Sequence, residues 1–378
     1  MMDDFLERKA VIKVFGVGGC GCSSVQRMVQ NKVRGVKFIA VNTDVQSLKH
    51  INADKWIAIG RRQTGGLGAG TNPEIGRLSA LEQAEEIEDE ILGSDLVFVT
   101  AGMGGGTGTG AAPVVAEIAK KHHILTLGVV TLPFFSEGKA KMSIALKGVE
   151  ILRKHCDSLI LIPNERIFSI IDANTLEVEA YREIDKYLRT CVQGIAEAVT
   201  FPGQQNVDMN DIKKTFKGKG TSFVGIGIGS GPNRAVKAIR SALHSKMVPT
   251  NISSATDLIV ITTTDPANAT MYEIQKVMSE ITSIVPVARI DETAVKYGSY
   301  HRTGLNDDYI VTVIATGFDS NISSNDMATL VKNMSDEYHI ASNFDTTVHQ
   351  EEEPSKINQK VNLEEDDLDI PTWLKKKN

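Results

Sequence analysis

TAGMGGGTGTGAAPVV, residues 100–115, places glycine at Gly102, Gly104, Gly105, Gly106, Gly108 and Gly110. An apolar run, DLVFVT, precedes it, and AAPVVAEIAKK, with helical spacing, follows. The stretch is therefore a loop between a strand and a helix. Each glycine loses extra conformational freedom on folding, so something must approach this main chain closely. A glycine loop entering a helix aims backbone N–H groups at one spot, and the helix dipole adds partial positive charge. Pro113 fits the start of that helix, and Thr107 and Thr109 can add hydroxyl donors. This chemistry suits a phosphate. The absence of G-K-[ST] separates it from a P-loop.

A second glycine turn, GVGGCG at residues 16–21, follows the first strand, AVIKVFGVG, and satisfies G-x-G-x-x-G. Asp44 closes the second strand, GVKFIAVNTD, where a ribose-binding acid sits in dinucleotide-binding domains. These residues alone fit an NAD-dependent dehydrogenase. A third loop, TGGLGAGTNPEIG, covers residues 64–76. Three glycine loops after successive strands suit one ligand bearing several phosphates.

The remaining pattern is α/β. KWIAIG, ILTLGVV and DSLILIP read as strands, with helices at LSALEQAEEIEDEIL and SIALKGVEILRKH. The alternation predicts a parallel, Rossmann-like sheet flanked by helices. TLEVEAYREIDKYLRTCVQGIAEAVTF reads as one long helix, with Ile184, Tyr187, Leu188, Cys191, Val192 and Ile195 at helical spacing. Beyond Pro202, SFVGIGIG, DLIVITTT, SIVPVARI and YIVTVIATGF read as strands of a second α/β domain. The expected boundaries are 9–174, 175–201 for the central helix, 202–318, a polar linker at 319–367 and a terminal peptide at 368–378. The linker is too polar to fold alone.

Composition narrows the class. The chain has 378 residues, enough for roughly two domains. Its formal net charge of -6 offers no general attraction for nucleic acid. No apolar run is long enough for membrane insertion, and the start lacks a signal-peptide core, so the cytoplasm is expected. Cys20, Cys22, Cys156 and Cys191 form no C-x-x-C pair and are read as reduced thiols, with no metal site.

GGGTGTG at residues 104–110 resembles the signature of the tubulin/FtsZ GTPases. The other motifs are similar to the bacterial FtsZ branch in order and spacing: NTD at 42–44, GLGAGTNPEIG at 66–76, PFFSEG at 133–138, IPN at 162–164, NVDMND at 206–211, VTVIATGF at 311–318 and DIPTWLKK at 369–376. The resemblance spans residues 9–318 and the last dozen. It implies a GTP/GDP site with Mg²⁺. Gly19, Cys20, Gly21, Cys22 and Ser23 would form its first loop, with Asn42 and Asp44 at the next strand. Ala69, Gly70 and Thr71 would lie by the γ-phosphate. Gly104, Gly105, Gly106, Thr107, Gly108 and Thr109 would cradle phosphates, and Glu137 and Lys141 would approach the ribose. Asn164, Tyr181 and Asp185 would meet the base. A carboxylate at Asp185 matches the adjacent N1–H and N2–H donors of guanine, whereas adenine presents an acceptor there.

The resemblance also implies that Asn206, Asp208 and Asp211 complete the site of the next subunit in a head-to-tail homopolymer. The local alternative is that Asp208 and Asp211 cap a helix near DIKKTF. The implied role is the division ring at midcell, beneath the inner membrane. The implied partner is a membrane-adaptor division protein, bound through Asp369, Ile370, Pro371, Trp373 and Leu374. A superfamily relative that moves plasmids or shapes cells is the alternative, and the terminal peptide speaks against it. Departures from the family pattern are Ser23 for a base-contacting asparagine, Lys141 for arginine, Gln204 and Gln205 for an apolar pair, Trp373 for phenylalanine, and a longer connection before the last strand at RIDETAVKYGSYHRTGLNDD.

Overall fold

Strands buried on both faces read as continuous apolar runs. IKVFGV is such a run, and β1 (Ile12–Val17) is buried at every position. A computed structural model describes residues 9–200, 203–245, 254–284 and 294–318. After β1 come α1 (Gly18–Gln30), β2 (Val36–Asn42), α2 (Val45–Leu48), β3 (Lys55–Ala58), α3 (Arg61–Thr64), α4 (Pro73–Glu82), α5 (Ala84–Ile91), β4 (Leu96–Gly102), α6 (Thr107–Lys121), β5 (Leu125–Leu132), α7 (Lys139–His155), β6 (Ser158–Pro163) and α8 (Glu177–Thr200). The chain continues through α9 (Met209–Phe216), β7 (Gly220–Thr221), β8 (Phe223–Gly229), α10 (Arg234–Leu243), β9 (Asp257–Thr264), α11 (Met271–Ile284), β10 (Ala294–His301) and β11 (Tyr309–Thr316).

The first sheet has the order β3-β2-β1-β4-β5-β6-β7, and every pairing is parallel. Strand order reverses between β1 and β4, which opens a crevice at their carboxyl ends. Both glycine loops that follow these strands meet there. The second sheet, β10-β9-β11-β8, is mixed: β10 runs parallel to β9, while β11 is antiparallel to β9 and β8. One apolar cluster joins Val14 and Phe98 of the first sheet, Leu188, Val192 and Ile195 of α8, and Val224 and Val313 of the second. Burying such side chains contributes about 1.5–3 kcal/mol each, so α8 is packed between the two halves from Ile184 to Ala198.

Several local expectations need revision. The helix expected at LSALEQAEEIEDEIL is two helices, α4 and α5, broken at Gln83. The Gln83 side chain turns back to accept the Gly60 N–H at 2.6 Å. Pro113 lies well inside α6, not at its start. It lacks the N–H that would bond the Thr109 carbonyl one turn earlier. The long connection before the last strand contains β10. Of SIVPVARI, Ser283 and Ile284 close α11, and the rest lies outside the described residues. The terminal peptide also lies outside them.

Candidate active site

A cleft of about 310 Å³ opens at the crevice. Ten of the expected residues line it: Gly19, Cys20, Gly105, Gly106, Thr107, Gly108, Glu137, Lys141, Asn164 and Tyr181. Gly18, Thr131 and Pro133 are among the others. α6 begins at Thr107, so the N–H groups of its first turn have no intrahelical acceptor and face the cleft end of the helix.

The glycines divide into two kinds. Some are required by the fold. A side chain at Gly108 would stand 2.6 Å from the Gly102 carbonyl, and one at Gly18, whose φ is +73°, 2.7 Å from Gly108 N. The 16–21 and 102–110 loops therefore pack backbone against backbone. Gly106 is similarly close to Ala69 and Asn72 N, both at 2.9 Å, which places the 66–72 loop against the 104–110 loop. Gly19 and Gly105 differ. A Cβ on either meets nothing within 4 Å, and neither has positive φ. The protein itself does not require glycine there, yet both line the cleft.

Polar groups of the cleft support a ligand site. Asn164 Oδ1 is buried without a donor. Lys141 pairs with Glu137, whose other oxygen accepts Phe134 N at 2.8 Å. Tyr181 stands edge-on to Phe134, with ring centroids 5.7 Å apart. Asp185 is held one layer back. Its carboxylate is buried against Arg27 and accepts Ser24 Oγ at 2.9 Å. Burial pushes its carboxyl up despite both partners.

The other expected residues support the walls. Cys22 is buried, and its thiol faces the Gly16 and Val41 carbonyls; burial pushes it up to about 12, so it stays neutral. Gly21 packs on the Thr100 carbonyl, where a Cβ would be 2.4 Å away. Ser23 is exposed on α1. Asn42 Oδ1 accepts Thr43 N, and Thr43 Oγ1 meets Thr107 Oγ1 at 2.6 Å. Asp44 caps α2 through Gln46 N and Ser47 N; its bonds from Ser47 hold its carboxyl below the usual range. Thr71 adopts φ +61°, and its hydroxyl donates to the Gly70 carbonyl at 2.7 Å. Thr109 is buried and accepts Gly104 N at 2.9 Å, so it fixes the loop from within.

A separate acidic loop lies beyond the far end of α8. Asp208 caps α9 by accepting Asp211 N at 2.7 Å, and the Asp211 carboxylate accepts Asp208 N in return. The capping expected from the sequence is thus a reciprocal capping box. Asn206 Oδ1 accepts Gly203 N at 2.6 Å. Gln204 and Gln205 are exposed, while their backbones bond Ser299, Gln204 N to its carbonyl and Gln205 O to its N–H, both at 2.9 Å.

The GTPase-domain model of the tubulin/FtsZ family matches residues 11–172, and the FtsZ C-terminal-domain model matches residues 220–319. A solved structure of an empty FtsZ dimer from M. jannaschii is 39% identical, covering 85% of this chain and 92% of that one at a TM-score of 0.78. The chain belongs to the tubulin/FtsZ family. A GDP-bound CetZ1 monomer from Haloferax volcanii, 22% identical with a TM-score of 0.72 over 87% of this chain and 99% of that one, shares the fold.

Membership makes the chain a cytoskeletal GTPase with an FtsZ-like C-terminal domain. Within that tubulin/FtsZ frame, sequence reading missed Arg27 and Ser24, which hold Asp185. Arg27 carried a weak signal, since an arginine on a helix beside the glycine turn has few neutral partners. Sequence reading also missed Lys296 and Tyr300 of β10. The Tyr300 hydroxyl accepts Val207 N at 3.2 Å and donates to the Ala198 carbonyl at 2.6 Å. It ties the end of α8 to the acidic loop.

Proposed function

We propose that this GTPase hydrolyses GTP at the junction between subunits stacked head to tail, and that the resulting filaments form a division ring. The supporting observation is the length of α8. Tyr181 lies at the cleft, while Ala198 is tied to the acidic loop. Seventeen residues of α-helix span about 25 Å. One subunit's Asp211 is therefore remote from its own cleft, and a neighbour's loop is the natural complement. The M. jannaschii FtsZ structure is a dimer, which agrees with self-association. Stacking the loop end on the cleft end is heterologous and does not close, so it propagates as a filament.

In this reading the glycine-loop N–H groups and the α6 dipole stabilise the phosphates. Gly19 and Gly105 allow close approach, and Asn164 and Tyr181 lie by the base. Asp185 reads guanine once Arg27 and Ser24 yield part of its carboxylate. The incoming Asp208 and Asp211 orient and polarise a water, with Asn206 fixing their loop. Phosphoryl transfer has a loose transition state, so positioning and electrostatics suffice. Among the described residues, Glu137 is the only acid lining the cleft and already pairs with Lys141, so Mg²⁺ would be held chiefly by phosphate oxygens and water.

Turnover should then depend on assembly. Specific activity is expected to rise steeply above a critical protein concentration, measured by phosphate release on serial dilution. Activity per subunit that stays flat down to about nanomolar concentration, where a contact would need about −12 kcal/mol to persist, would reject the shared site.

The terminal peptide completes the proposal. Ile370, Trp373 and Leu374 offer apolar anchors, with Asp369 and Pro371 shaping the approach and lysines following. One tail binds weakly because ordering it costs entropy; many tails on a filament bind firmly. The partner is a membrane adaptor, which places the filament at midcell in the cytoplasm. Deleting residues 368–378 is expected to leave GTP turnover intact and abolish co-sedimentation with adaptor-coated vesicles. Truncated filaments that still sediment would reject the tail's role.

A further inference from the structure

β10 is an edge strand of the second sheet, paired on one side with β9. Side chains two apart on a strand share a face, so Lys296, Gly298 and Tyr300 form one row. All three meet the acidic loop. Lys296 Nζ lies 2.9 Å from Asp211 Oδ1 and donates to the Asp211 carbonyl at 3.2 Å. A Cβ on Gly298 would stand 3.0 Å from Val207 Cγ2. Tyr300 binds Val207 N. The loop also meets β10 through the backbone bridge between Gln205 and Ser299, the Gln204 N–H on the Ser299 carbonyl, and the packing of Gly203 on Ser299 and Tyr300. One strand face is thus built to fit residues 203–211.

We infer that Lys296 is a positioning residue for hydrolysis: it grips Asp211 at both the carboxylate and the backbone and fixes the direction in which that carboxylate faces at the subunit end. The inference rests on the reading that Asp211 serves the adjoining subunit's GTP.

The grip has two parts with different consequences. The bond to the carbonyl fixes where the first turn of α9 sits. The ion pair fixes which way the carboxylate faces. Lys296 and Asp211 side chains are 23% and 31% exposed, so the pair is partly shielded from solvent yet open to an arriving neighbour. One Asp211 oxygen faces Lys296 and the other accepts Asp208 N. The carboxylate is therefore clamped from both sides, with lone pairs left for a water. A bare aspartate on an exposed loop would sample several rotamers, and only some would point across the junction.

The charge balance follows the same logic. The ionisable groups acting on Asp211 are Lys296 of β10, Lys214 of α9 and, beside it, Asp208. Partial burial pushes the Asp211 carboxyl up; the Lys296 hydrogen bond, the Asp208 N–H and the charges of Lys296 and Lys214 outweigh it and hold it below the usual range. The group therefore stays ionised until the pH falls below the ordinary aspartate value. Without Lys296 only the Asp208 N–H and the charge of Lys214 would oppose the burial penalty. Approaching the negative triphosphate of a neighbour would raise the carboxyl further, and the lysine offsets that repulsion.

The test compares full-length Lys296→Met, Lys296→Gln and Lys296→Arg with the parent chain and with Asp211→Ala. GTP affinity of the free subunit should be unchanged in the Lys296 variants. Phosphate release per filament subunit should fall about tenfold in Lys296→Met and Lys296→Gln, with the GTP concentration for half-maximal rate nearly constant, the effect of losing a charge-assisted contact. Lys296→Arg should recover most of the rate. In the free GDP-bound subunit, the Asp211 carboxyl titration, followed by NMR, should move up by about one pH unit in Lys296→Met. A purely structural lysine would change melting temperature without moving that titration. If Lys296→Met assembles poorly, doping it into parent filaments should lower turnover in proportion to its share. Parent-like turnover and titration in Lys296→Met, with Asp211→Ala inactive, would overturn the lysine's role alone. Full activity in Asp211→Ala would instead overturn the underlying reading.

Discussion

Asp211→Ala filaments are expected to bind GTP as tightly as the parent and to hydrolyse it at least about a hundredfold more slowly, the usual cost of removing a group that stabilises a transition state. Binding should survive because no atom of residues 203–211 lines the cleft. The substitution also removes half of the capping box on α9, a hydrogen bond worth about 0.5–1.5 kcal/mol. Asp211→Asn separates the two effects, since it keeps an acceptor for the Asp208 N–H and removes the charge. Both variants should be slow, and Asp211→Asn should melt closer to the parent. Phosphate release from pelleted filaments, corrected for their mass, is the measurement. A rate within about threefold of the parent, less than a single hydrogen bond is worth, would remove the aspartate from the chemistry.

Gly105→Val should leave the fold alone and weaken GTP binding by about a hundredfold or more, roughly 2.7 kcal/mol. Among the described residues, nothing but its chain neighbours lies within 4 Å of a Cβ there, so stability should shift by only about 0.5 kcal/mol. The lost affinity would report the space that phosphates need. Gly110→Ala is the counterpart. Its Cβ would stand 1.9 Å from the Pro73 carbonyl, so α4 and α6 would have to separate, at a cost of several kcal/mol. Calorimetric titration with GTP and thermal melting separate the outcomes. Unchanged affinity in Gly105→Val would show that phosphates do not pass Gly105.

The parallel sheet was legible in the sequence, though not its strand order, because buried parallel strands are apolar runs followed by glycine turns. IKVFGV and LVFVTAG leave little choice. The glycine loops also declared themselves, although their division into fold-required and ligand-facing members did not. That division depends on which backbone crosses which, as at Gly18 against Gly108. β10 was illegible for a physical reason. AVKYGSYH mixes lysine, glycine, serine and histidine, because one face holds a polar loop and the other meets Thr262 through the Tyr297 hydroxyl at 2.7 Å. Neither face shows the apolar alternation that marks a strand. Lys296 is 85 residues from Asp211 along the chain, and no local pattern links them. Asp185 shows the opposite limit. Its residue type pointed to guanine, but its pairing with Arg27 depends on how α1 packs against α8.

The length of α8 has a consequence for the ends of a filament. In the head-to-tail stack we propose, each subunit would carry its cleft and its acidic loop about 25 Å apart along one helix, facing opposite neighbours. One terminus would then expose a loaded cleft that no loop has reached. The other would expose a loop with nothing to act on. The last subunit at the cleft terminus would keep its triphosphate until another arrives, however fast the interior turns over. A chemical polarity between growing tips would follow from the span of a single helix, without any additional regulator.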